Sequence, residues 1–99
     1  MNTYQVVVSD DAKTMLTEHA AFLANVSISA AEKLIDTIEG AFISLSQYPY
    51  RCAVYELLRV KGSYRRMVVG RYVIIYSIDE ATKTVKVYFI LDTRQNVEL

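Results

Sequence analysis

A small α+β domain, with a strand and a helical hairpin leading into a three-stranded antiparallel meander, is predicted by the order of hydrophobic periods along the chain. Two consecutive segments in the first half repeat apolar residues at three- and four-residue spacing, which places them on helical stripes. The second half holds runs rich in Val, Ile, Tyr and Phe joined by short connections, and connections that short imply antiparallel hairpins. The chain of 99 residues has room for one hydrophobic core and for no second domain.

The elements follow in order. Tyr4, Val6 and Val8 alternate with Gln5 and Val7, the period-two pattern of a strand buried mainly on one face. Ser9 and Asp10 then offer helix-capping side chains, and Ala12, Met15, Leu16, His19, Leu23 and Val26 form one helical stripe. Ser29 followed by Glu32 has capping-box spacing, so a second helix is expected to start there. Its stripe runs through Ala31, Leu34, Ile35, Ile38, Phe42 and Leu45, and Pro49 restricts Tyr48 and ends it. Gly40, inside this helix, costs about 1 kcal/mol relative to alanine, a cost that close backbone packing would explain.

An irregular stretch over 50–63 precedes strand-like runs at 64–69, 71–78 and 84–91. The predicted architecture is therefore βααβββ, a helical hairpin packed on one face of a small antiparallel sheet. Alternation assigns the faces. Val85, Val87, Phe89 and Leu91 form a wholly apolar set expected to face the helices, with Tyr72, Ile74, Tyr76 and Ile78 beside them. A two-residue turn at Gly70-Arg71 would pair Val69 with Tyr72. Tyr64, Arg66, Tyr88 and Asp92 would then share the open face.

Composition excludes several functions. With 53% hydrophobic and 22% charged residues, the chain is globular rather than disordered. No apolar run approaches the roughly 20 residues needed to span a bilayer, and the start lacks the basic-then-apolar pattern of a signal peptide. A cytoplasmic protein without membrane partners is expected. Cys52 is the only cysteine and His19 the only histidine; Cys52 reads as a small buried or half-buried apolar residue and His19 as a hydrogen-bonded residue between helices. There is no Walker loop, dinucleotide fingerprint, zinc-ligand spacing or serine-hydrolase elbow, so neither a cofactor nor a small-molecule substrate is expected. Eleven basic and eleven acidic residues cancel, but they are unevenly spread. Arg51, Arg59, Lys61, Arg65, Arg66 and Arg71 face only Glu56 in their stretch, whereas Asp10, Asp11, Glu18, Glu32, Asp36 and Glu39 lie in the first half.

The run Tyr64-Arg65-Arg66-Met67-Val68-Val69-Gly70-Arg71-Tyr72-Val73-Ile74-Ile75-Tyr76-Ser77-Ile78-Asp79, the strand Val85 to Ile90 and the ending Asp92-Thr93-Arg94-Gln95-Asn96 resemble the RelE/ParE superfamily of bacterial toxins. So does the early Ser9-Asp10-Asp11-Ala12, and the resemblance spans nearly the whole chain. It implies the toxin of a type II toxin-antitoxin module that stops growth through an essential macromolecular target and is neutralised by a cognate antitoxin. Some members cleave messenger RNA on the ribosome; others poison DNA gyrase.

RNA cleavage through the 2′-hydroxyl needs a base, an acid and cations for the charged transition state. The resemblance places the basic residues of ribonuclease members at Tyr64, Arg66, Val73 and Thr93, and often a histidine at Asp92; only Arg66 keeps the chemistry. Each such contact typically contributes about 3 kcal/mol, near a hundredfold in rate. A gyrase poison is therefore the favoured expectation, ahead of a ribosome-dependent endonuclease and of a nontoxic module that only binds its antitoxin. If cleavage were retained, Arg66, with Glu56 as base and Arg94 substituting for a lost cation, would carry it. Binding to target or antitoxin is expected to use Lys61, Tyr64, Arg65, Arg66, Arg71, Tyr88, Asp92 and Arg94. An acidic antitoxin segment should cover Lys61, Arg65 and Arg66, and Arg94 is expected to be solvated and unimportant for folding.

Overall fold

Ser9 starts the first helix by accepting the backbone N–H of Ala12 at 3.0 Å, while its own hydroxyl donates to the carbonyl of Tyr88 at 3.0 Å. One side chain thus caps the helix and fixes it to the last strand. The computed structural model describes residues 3–55 and 63–94. In chain order these form β1 (Gln5–Val8), α1 (Asp10–Ala24), α2 (Ile28–Gln47), a 3-10 turn (Pro49–Arg51), β2 (Val54–Tyr55), β3 (Tyr64–Val69), β4 (Tyr72–Asp79) and β5 (Thr84–Asp92).

The helical hairpin covers one face of a five-stranded sheet of order β1-β5-β4-β3-β2. The meander is antiparallel as expected, but β1 lies parallel beside β5, so the sheet is mixed. The short strand β2, within the stretch read as irregular, adds an antiparallel edge to β3. Val69 pairs with Tyr72 across the Gly70-Arg71 turn, and Gly70 takes the left-handed φ of 59° that this turn requires. Two details of α2 differ from expectation. Its cap is Ser27, which accepts the N–H of Ala30 at 3.1 Å, two residues before Ser29. And a Cβ on Gly40 would meet nothing within 4 Å, so close packing does not explain that glycine.

Ala12, Leu34, Ile38, Ala41 and Leu45 of the helices pack on Tyr72, Ile74, Tyr76, Val85, Val87 and Ile90 of the sheet. The Tyr76 hydroxyl, inside this core, donates to the carbonyl of Pro49 at 2.6 Å; burial pushes its phenol well above the ordinary range. That bond fixes the 3-10 turn to the core and satisfies a group that would be costly to bury alone.

The face assignment fails at one place, for a physical reason. Ile75 pairs with Phe89 and Tyr76 with Val87, leaving Tyr88 without a partner on β4. This is a β-bulge, and one extra residue reverses the alternation beyond it. Val85 and Val87 face the helices as expected, but after the bulge Ile90 and Asp92 do so instead of Phe89 and Leu91.

Candidate binding face and the Asp92 cavity

Side-chain alternation on β3 separates two adjacent arginines. Arg65 turns toward the helix side, where its guanidinium donates to the carbonyls of Cys52 at 2.5 Å and Tyr50 at 3.2 Å and lies 5.2 Å from the Tyr50 ring centre. Its charge holds the 3-10 turn against β3, beside the half-buried, unpaired Cys52. Arg66 points to the open face, 5.5 Å from the Tyr55 ring centre. The single basic patch expected around Lys61, Arg65 and Arg66 is therefore divided by the sheet. Lys61 and Glu56 lie outside the described residues, and with them the assigned base and one binding cation.

Tyr64 and Tyr88 do meet on the open face, edge to face at 5.4 Å, and the Tyr88 hydroxyl is hydrogen-bonded to Ser77 at 3.0 Å. Tyr88 is on this face by the alternation that turns Val85 and Val87 to the helices, and the bulge then puts Phe89 on the same face. Ile75 is only 1% exposed although it points away from the helices; its cross-strand neighbours are Arg66 and Phe89. Beside them is a small hollow of about 120 Å³ lined by Tyr55, Arg66, Val73, Ile75, Leu91, Asp92 and Thr93. Thr93 is committed to structure, since its backbone N–H and its hydroxyl both donate to the Arg71 carbonyl at 2.8 Å. Arg71 itself is exposed in the turn and borders a different groove, with Lys33, Leu23 and Val69.

Asp92, expected on the open face, and Arg94, expected to be solvated, instead pair to form a second centre. The Asp92 side chain is 7% exposed and that of Arg94 48%. Arg94 Nε donates to Oδ1 at 3.1 Å and Nη2 to Oδ2 at 2.8 Å, and the Arg94 backbone N–H adds a third bond to Oδ1 at 2.9 Å. The guanidinium holds the carboxyl of Asp92 below the ordinary carboxylate range, outweighing the burial that pushes it up. The pair opens into a cavity of about 450 Å³ shared with Glu18, His19, Phe22 and Tyr72. His19 is hydrogen-bonded through Nε2 to the Ile90 carbonyl at 2.8 Å and its ring tilts against Tyr72 at 5.1 Å. It therefore joins α1 to β5 rather than helix to helix. Arg94 is not free to replace a lost cation beside Arg66, because its guanidinium is neutralised by Asp92.

The chemistry available at the hollow is limited. Among its described lining residues Arg66 is the only cation, Val73 and Leu91 transfer no proton, and the Asp92 carboxylate is held in its bidentate pair with Arg94. Among the described residues no group of three or more potential metal ligands clusters together, and no described helix is long and apolar enough to cross a membrane. Tyrosine and arginine, both present on this face, are residue types enriched at protein interfaces.

The family model described as "ParE toxin of type II toxin-antitoxin system, parDE" matches residues 6–97. No curated protein matches the sequence. Among solved structures, the fold is similar to the RelBE2 toxin-antitoxin complex from Mycobacterium tuberculosis, with a TM-score of 0.66 and 23% identity over 91% of this chain and 98% of that one. It is also similar to the archaeal RelE-RelB complex from Pyrococcus horikoshii OT3, with a TM-score of 0.55 and 14% identity over 95% of this chain and 99% of that one.

Proposed function

The chain belongs to the ParE toxin family of type II toxin-antitoxin systems, and from that premise we propose that it arrests growth by binding DNA gyrase, without cleaving RNA. The observation that carries this reading is the hollow beside Arg66. Among the described residues one cation stands there, with Tyr55, Val73, Ile75, Leu91, Thr93 and an Asp92 already paired with Arg94, whereas phosphoryl transfer needs a base, an acid and more than one cation around the phosphate. The removal of Arg94 from that site by Asp92 supports the same reading, since the substitute cation is on the helix side.

Gyrase is the expected target, with contact made through the open face around Arg66, Tyr64 and Tyr88. A cognate antitoxin is the expected neutralising partner; similar folds are found in a RelBE2 toxin-antitoxin complex and in a RelE-RelB complex. Purified chain titrated into a gyrase supercoiling reaction tests the target: loss of supercoiling, restored by the antitoxin, is the expected result. Undiminished supercoiling at toxin concentrations well above those of the enzyme would refute gyrase as the target.

A further inference from the structure

Lys33 and Arg71 face one groove of about 570 Å³ from two different elements, Lys33 from α2 and Arg71 from the β3–β4 turn. The floor of the groove is apolar. Leu34 and Tyr72 are each 7% exposed, and Leu23 and Val69 are half-buried beside them. Both cations are exposed, and neither has an ion-pair partner among the described residues. No acid is among the described lining of the groove. Helix geometry accounts for this: at about 100° per residue, Leu34 and Thr37 lie to one side of Lys33, toward the groove, and Glu32, Asp36 and Glu39 lie to the other. The one cation of α2 is thus turned to the groove and its carboxylates are turned away.

We propose that this groove docks an acidic amphipathic segment of a partner protein, with apolar side chains on Leu23, Leu34, Val69 and Tyr72 and carboxylates at Lys33 and Arg71. The lining decides the occupant. Two cations held on separate elements call for two anions, which a peptide supplies on either side of its apolar residues and a fatty acid, with one carboxylate, does not. A nucleic-acid strand would meet the cations through its phosphates and leave the aliphatic floor bare. Arg65 and Arg66 offer no such pair, since β3 turns them to opposite faces. Docking here is measured without gyrase and without growing cells, so its failure is distinguishable from the failure of gyrase as the target.

The probe is a synthetic peptide of about three helical turns, with leucines on one face and glutamates on both flanks, fluorescently labelled and titrated with the full chain. Two control peptides keep its length: one has lysine for each glutamate, the other serine for each leucine. We expect saturable binding of the probe that weakens with added salt. Binding weaker by about tenfold or more is expected for both control peptides, and for the probe with the double variant Lys33→Glu, Arg71→Glu. A second double variant, Lys13→Glu, Lys86→Glu, makes the same change in net charge at exposed residues outside the groove and should bind the probe as the parent does. If Arg71→Glu lowers the melting temperature, Lys33→Glu alone decides, with weakened binding expected. Equal binding of either control peptide, unweakened binding by the groove variant, or the same loss in both double variants would each overturn the proposal. So would dodecanoate or single-stranded RNA occupying the groove where the probe does not bind. Self-association of the parent that Lys33→Glu abolishes would overturn it too, in favour of a second copy.

Discussion

Arg94 closes over Asp92 with two guanidinium nitrogens and its own backbone N–H, so a residue beyond the last strand stabilises a carboxylate turned toward the core. The pair is the outcome of the bulge at Tyr88. Had β5 kept strict alternation, Asp92 would be on the open face and Arg94 would have no carboxylate to satisfy.

Replacing Arg94 with alanine should therefore lower stability. Leaving a buried acceptor without its partner costs about 1–3 kcal/mol, which for a domain of this size lowers Tm by on the order of 5 °C or more. The double variant Arg94→Ala, Asp92→Leu should recover much of the loss, because removing both partners spares the uncompensated charge. Thermal melts followed by circular dichroism measure both. The pH dependence has a definite sign: the folded carboxyl lies below its unfolded value, so the contribution is present above about pH 4 and is lost as pH falls through the folded value. An Arg94→Ala chain should show a flatter acid limb than the parent.

Gly40→Ala should raise stability by up to about 1 kcal/mol, or roughly 4–8 °C in Tm. The glycine is exposed within α2 and a new Cβ has open space, so the helix gains propensity without a clash. Growth inhibition by this variant should equal that of the parent. A fall in Tm would mean that the position is under a constraint absent from the fold.

Glu80 is a second acid-sensitive point. Its carboxylate pairs with Lys83 and accepts the hydroxyls of Tyr50 at 2.5 Å and Tyr4 at 2.9 Å, contacts that hold it at about 2, with Lys83 first among them. They connect β1, the 3-10 turn and the β4–β5 hairpin. Since the folded value lies below the unfolded one, the contribution is present above about pH 4.5 and disappears as pH falls toward 2. Urea midpoints at pH 6 and pH 3 should converge for Glu80→Gln and separate for the parent, and the separation should shrink in high salt because the cluster is solvent-exposed.

His19→Phe should keep the aromatic contact with Tyr72 and lose the bond to the Ile90 carbonyl. A loss of about 1 kcal/mol is expected, the net value of one such bond together with the unmet carbonyl, without loss of growth inhibition. Abolished toxicity at unchanged Tm would assign the histidine to target action instead.

Much of this fold was legible because helical and strand periods are set by the burial of one face. The stripes of α1 and α2, the cap at Ser9 and the Val69–Tyr72 turn follow from that rule, except that Val26 lies beyond α1 and that Val26 and Ile35, both read as stripe residues, are exposed. Patterning says nothing where both alternating sets are apolar. Val87, Phe89 and Leu91 read as one continuous face, and no residue between them marks the insertion of an extra position at Tyr88. The same gap hid Asp92, which reads as a polar surface residue until a nearby arginine satisfies it. The two-residue β2 is too short to have a period, and the parallel placement of β1 beside β5 depends on long-range packing. At the site, Arg66, Tyr64 and Tyr88 were brought together as their alternation implied, whereas Arg65 was separated from Arg66 by that same alternation.

The central claim is that the chain arrests growth without cutting RNA, and mapping RNA 5′ ends across the transcriptome after brief induction tests it most directly. The account predicts growth arrest with no new ends at fixed positions within codons, and the same end profile in parent and Arg66→Ala cells. Abundant codon-positioned ends that appear with the parent chain and vanish with Arg66→Ala would contradict it and make the open face a ribonuclease site.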